Sequence, residues 1–208
     1  MHISEGVLSP SILVAGAAVT TAGVVMGLKR LEQKDVPSTG ILSAAFFVAS
    51  LVHVPIGPAS VHLVLNGLLG LILGWRAFPA ILIGLALQAL LFQFGGITTL
   101  GVNTMNMALP AVVCSMVFGW AVRPRTPPML RVVAAFACGS GAVLLSGLLV
   151  ACSLYWSGEA FLPAAKLIVV AHLPVMAIEG VLTSACTVFL IRVKPELLEG
   201  GYVHSASS

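Results

Sequence analysis

Charge is what this sequence has least of. Asp, Glu, Lys and Arg make up 8% of its 208 residues, against about 25% in soluble domains, which excludes an ordinary water-facing globular surface. Cysteine is scarce as well. Cys114, Cys138, Cys152 and Cys186 lie within or at the ends of apolar segments with no CxxC spacing, so they form no disulfide framework and read as small packing residues. No GxxxxGK[ST] occurs, which excludes a P-loop ATPase, and no HExxH, which excludes a zinc protease of that class. No Ser or Asp constellation suggests an intramembrane hydrolase. The formal charge of +3 gives no reason to expect a nucleic-acid partner. The first eleven residues lack a basic n-region and contain Glu5, unlike a cleavable signal. The start is therefore expected to survive, with Met1 retained because methionine aminopeptidases require a small second residue and His2 is large.

What is present is apolar: 59% hydrophobic residues and a mean hydropathy of +1.08. The long apolar segments tolerate Gly and Pro, as transmembrane helices do, so the lipid bilayer is the expected surroundings. The chain holds about seven spans of roughly 20 residues, near 9–28, 38–54, 61–75, 77–94, 102–122, 130–155 and 163–191. The expected fold is an all-α, multi-pass membrane protein of seven transmembrane helices forming one domain over 1–208, with a frayed cytoplasmic tail at about 196–208 that includes an inert His204. Pro55, Gly57 and Pro58 before the third span, and Gly95 and Gly96 before the fifth, predict broken loops that dip toward the bilayer. Irregular backbone survives at that depth only where protein buries it or it lines a polar cavity, so these loops are where a site is sought. Basic residues follow spans 1, 3, 5 and 7, whereas 55–60 and 95–101 have none. The positive-inside rule then places the N-terminus outside and the C-terminus in the cytoplasm. Small residues four apart, Gly23/Gly27, Ala45/Ala49 and Gly70/Gly74, permit close helix approach, either within the chain or to a partner subunit.

Met1 and His2 carry the most specific chemistry. A terminal amine, the deprotonated His2 amide and the near nitrogen of the His2 imidazole close unstrained five- and six-membered chelate rings around one ion. Planar nitrogen ligation suits Ni(II) or Cu(II), with Co(II) possible. His62, after the Pro-rich turn, is a candidate for the fourth nitrogen; His53, before the turn, competes with it. His172 and Glu179 stand seven residues apart on one face of span 7. Ionisable groups within a membrane are functional candidates by default, but Glu179 is expected roughly 24 Å below the start of its helix, too deep to share a site with His2. A structural or coupling role is expected there instead. Asn103 and Asn106 are one turn apart, placed either to orient a ligating imidazole or to join helices. Glu5 either offsets metal charge or is solvated.

The opening Met1-His2-Ile3-Ser4-Glu5-Gly6-Val7-Leu8-Ser9-Pro10 resembles the start of the CbiM/NikM family. Further matching blocks are Val54-Pro55-Ile56 leading to His62, the run from Gly95 to Ala108, and His172-Leu173-Pro174 with Glu179-Gly180. The resemblance implies the substrate-specific membrane subunit of an energy-coupling factor (ECF) transporter, importing Co(II), or alternatively Ni(II), across the bacterial cytoplasmic (inner) membrane, and supplying cobalamin biosynthesis. It implies that the ion is held by the Met1 amine, the His2 amide and imidazole, and His62, as transported substrate with no resident cofactor. It further implies a transmembrane (T) subunit, a pair of ATPase subunits that hydrolyse ATP, and often a small accessory membrane subunit; the chain itself is not an enzyme. A different reading is an accessory membrane subunit without substrate of its own.

Overall fold

Proline sets several helix starts. Pro10 follows Ser9 and opens α1 (Pro10–Lys29), where its fixed φ suits the first turn and its missing N–H costs nothing; Lys29 lies at the negative end of the helix dipole. The computed structural model describes residues 2–51, 53–56 and 59–199, with main chain alone at 53–56, 59–61, 159 and 199. After α1 come α2 (Val36–Ala49), strands β1 (His53–Ile56) and β2 (Ala59–His62), α3 (Asn66–Leu73), α4 (Ala77–Phe92), α5 (Leu100–Phe118), α6 (Pro128–Ser157), α7 (Leu162–Val193) and the single turn α8 (Glu196–Glu199). Five segments are long and apolar enough to cross a membrane: Pro10–Lys29, Asn66–Phe92, Leu100–Ala121, Pro128–Ser157 and Leu162–Val193. Exposed Val14, Ile41, Leu90, Met129, Val170 and Phe189 give the bundle an apolar exterior that lipid, not water, would cover.

Within Asn66–Phe92 the chain turns back on itself. Gly74 closes α3 at φ 55°, ψ −126°, a conformation that side chains with a Cβ rarely adopt. Close approaches set the direction on each side. A Cβ on Gly16 would meet Val102, and one on Gly70 would meet Ala111. Residue 111 lies about 14 Å further along α5 than residue 102, so α3 sits deep and runs with α5. Gly27 meets Pro79 and Gly23 meets Phe78, whereas Gln88 reaches His2. Helix α4 therefore climbs back toward the end of the bundle where the chain starts.

The connection before α3 differs from the irregular segment expected. Helix α2 stops at Ala49, and β1 and β2 pair antiparallel, His53 with His62, Val54 with Val61, Pro55 with Ser60 and Ile56 with Ala59. Pro55 has no N–H and drives the preceding residue toward extended geometry. The main chain then pairs its polar groups across a two-stranded ladder. Consequently His62 ends a strand, and the third helix begins at Asn66 instead of 61.

At the opposite end Asp35 pairs with Arg76 at 2.5 Å, and Arg30 lies over the Trp75 ring at 5.8 Å. Nine of the ten Lys and Arg residues lie in or after the last turn of α1, α3, α5 or α7 at this end; Lys166, in the first turns of α7, is the exception. The tail expected to fray from 196 instead begins with α8, whose Leu198 is buried. Residues 200–208, with His204, lie outside the described residues. Two small-residue pairs are used internally: Gly23 and Gly27 accept Phe78 and Pro79, and Gly70 accepts the Ala111 carbonyl.

Candidate metal centre

Residues 2–9 lie as a strap across the end of the bundle opposite the basic cluster. Asn103, in the first turn of α5, treats Ile3 as a strand partner: the Ile3 N–H donates to Asn103 Oδ1 at 2.9 Å, and Asn103 Nδ2 donates to the Ile3 carbonyl at 3.1 Å. The Thr98 N–H donates to Glu5 Oε1 at 3.1 Å, and the Ser9 N–H to Ser157 Oγ at 3.1 Å. Gly95, at φ 78°, lets the 93–99 loop close over the strap, because a Cβ there would come 2.9 Å from Asn103 Nδ2 and 3.6 Å from His2 Cδ2.

This anchoring buries His2 at 4% exposure against His62 at 3%. Their ring centroids are 4.7 Å apart and the planes tilt by 33°; the Phe94 ring lies 6.2 Å from His2. Gln88 of α4 holds the far side of the His2 ring, with His2 Nε2 2.5 Å from its Oε1. His62 Nδ1 bonds the Leu63 carbonyl at 2.8 Å, and His62 Nε2 is buried without a hydrogen-bond partner among the described residues. Burial pushes the His62 pKa well below its ordinary value, which keeps the imidazole neutral, the form that binds metal.

Beyond His62 the chain passes through Leu65 at φ 55°, and Glu179 fixes that break by accepting the N–H groups of Val64 and, at 2.8 Å, Leu65. Glu179 is thus nearer to the frame of this site than its rise along α7 predicted, because α3 starts deep in the bundle and a helical side chain leans toward the N-terminus of its helix. His172 is buried, donates from Nδ1 to the Ile168 carbonyl at 2.6 Å, and its Nε2 has no hydrogen-bond partner among the described residues. Asn106 is buried one turn below Asn103, its amide unpaired among the described residues.

The amide work is divided differently from the expectation. Asn103 holds main chain, and the residue on the imidazole is Gln88. Nothing local in the sequence marks Gln88, since its partner is 86 positions away; the only signal is one amide within the otherwise apolar α4. Glu5 is exposed and serves as a clasp to Thr98. Met1 and the His53 side chain lie outside the described residues. Among the described residues no three His, Cys, Asp or Glu side chains group around a possible ion, so two imidazoles would need main-chain nitrogen to complete a site.

Residues 2–197 match the family profile described as CbiM, cobalt uptake substrate-specific transmembrane region. The chain belongs to the CbiM family. It is 41% identical over 199 residues to a Haemophilus influenzae protein named for metal transport, covering 95% of this chain and 97% of that one. It is 29% identical to a fused nickel transport protein of Rhodobacter capsulatus, covering 95% of this chain but 64% of that longer protein. The crystal structure of a transition metal transporter superposes with a TM-score of 0.76 at 26% identity, covering 97% of this chain and 98% of the other. The match to a cobalt-uptake family and the apolar helices make this a multi-pass membrane protein of a metal-transport family.

Proposed function

We propose that the chain is the substrate-binding subunit of an ATP-driven ECF importer, taking Co(II) from outside the bacterial cytoplasmic membrane and supplying cobalamin biosynthesis. The observation that carries this is the buried pair His2 and His62, 4.7 Å apart between ring centroids at the start of the chain. In this reading the Met1 amine, the His2 amide, the near ring nitrogen of His2 and one ring nitrogen of His62 surround the ion. Two imidazoles and two main-chain nitrogens suit a first-row divalent ion better than Mg(II) or Ca(II), which prefer oxygen. The basic end faces the cytoplasm by the positive-inside rule, seven helical segments cross or enter the bilayer, and the strap faces outward.

Energy comes from elsewhere, because the sequence has no phosphate-binding loop. A T subunit and a pair of ATPases would drive movement of the loaded subunit, with a small accessory membrane subunit assisting. Ni(II) is the second reading, favoured by affinity order at nitrogen sites and by the nickel transport relative. Titration of the purified protein with each ion, together with uptake in cells carrying the partner subunits, tests both. The account expects binding of one ion per chain, tighter for the transported metal. Absence of binding by either ion would leave an accessory subunit without substrate.

A further inference from the structure

Hydrogen-bond polarity around Gln88 assigns the ring protons. The Phe47 carbonyl can only accept, and Gln88 Nε2 donates to it at 3.3 Å. Ser50 spends its own proton on the Phe46 carbonyl at 2.7 Å, so toward Gln88 Nε2 its oxygen is an acceptor. Both amide protons of Gln88 are therefore directed at the end of α2, and Oε1 is the atom facing His2. An amide oxygen takes a proton and gives none. His2 consequently carries its proton on Nε2, and in the neutral ring Nδ1 holds the lone pair. The opposite holds at His62, where the Leu63 carbonyl receives the Nδ1 proton and leaves the lone pair on Nε2.

These tautomers match two different ligating tasks. Only Nδ1 of a histidine can close a six-membered ring with its own amide nitrogen, whereas Nε2 points away from its own backbone toward a separate partner. We propose that Gln88 is a positioning residue for metal capture: locked by Ser50 and Phe47, it holds His2 with Nδ1 presented, while the Leu63 carbonyl holds His62 with Nε2 presented. The consequence for capture rests on the proposed function, but the tautomers do not.

Nitrogen NMR of isotope-labelled histidine in the metal-free, full-length protein in lipid nanodiscs reads them directly, with His2→Ala and His62→Ala assigning the signals. The wild type is expected to show His2 protonated on Nε2 and His62 on Nδ1. Gln88→Met should release His2 into a mixture of tautomers, leave His62 unchanged as a control for folding, and weaken Co(II) or Ni(II) binding by about 10–100-fold. Gln88→Glu, which keeps an acceptor, should restore the Nε2–H form. Ser50→Ala, a milder change, should shift His2 in the direction of Gln88→Met. His2 protonated on Nδ1 in the wild type, or a His2 tautomer indifferent to Gln88→Met in the folded protein, would overturn the proposal. Failure of the wild type to bind either metal, with both tautomers as stated, would count against the transport reading alone.

Discussion

At the scale of single residues, the account separates two histidines whose main chains stand opposite each other in one hairpin. His62→Ala should weaken metal binding far more than His53→Ala, since only His62 is expected to touch the ion; equal losses in titration would move the fourth ligand elsewhere. Gly95→Ala tests the cover over the strap. The left-handed backbone costs a Cβ-bearing residue about 1–2 kcal/mol, and the added carbon would press on Asn103, so thermal stability and metal binding should fall together. Unchanged melting and affinity would show that the loop adapts. His2 and His62 were legible as candidates because an imidazole is rare and costly in so apolar a sequence. Gln88 was not, because an amide acquires its meaning only from partners brought from α2 and the strap. For Asn103 the spacing leaves two roles open, orienting an imidazole or joining helices, and it does not show the bonds to the Ile3 main chain, whose partners stand 100 positions apart.

At the scale of elements, the long helices were legible because apolar runs bounded by Pro, Gly and basic clusters admit few other readings. The hairpin was not. Its four-residue strands are too short for period-two alternation to emerge, and 61–75 continues as an apolar run across the true helix start. The left-handed break at Leu65 carries no glycine to announce it, and the sequence cannot show that a carboxylate from α7 stabilises it. A buried N–H left unpaired costs about 1–3 kcal/mol, and Glu179→Ala removes the acceptor from the buried Val64 N–H and the part-buried Leu65 N–H. Its thermal midpoint should drop, and metal binding should weaken as His62 loses its anchored neighbour. Glu179→Gln retains an oxygen acceptor and should preserve both. A Gln variant as damaged as the Ala variant would show that charge, not the hydrogen-bonded break, is what the bundle requires at this position.

In the molecule as a whole, the fold gathers nine of ten cationic residues at the end away from the strap, and the positive-inside rule turns that segregation into an expected orientation. In intact cells, with the native cysteines replaced, Ile97→Cys should react with a membrane-impermeant thiol reagent and Arg125→Cys only after permeabilisation; the reverse would invert the orientation. Metal capture through a terminal amine and an amide must release protons, so affinity should rise with pH, by about tenfold per unit for each proton released. A flat profile would contradict main-chain ligation. Metal titration of a protein with one Ala inserted between Met1 and His2 probes the amino-terminal chelate itself. The insertion keeps every side chain and the fold, but enlarges the chelate ring and shifts the amine by up to about 3.5 Å. The account predicts that Co(II) and Ni(II) binding collapses, and that a tag acylating the N-terminus does the same while one after Ser208 does not. Wild-type affinity in both N-terminal variants would contradict the chelate and return His2 and His62 to the role of buried, hydrogen-bonded packing residues.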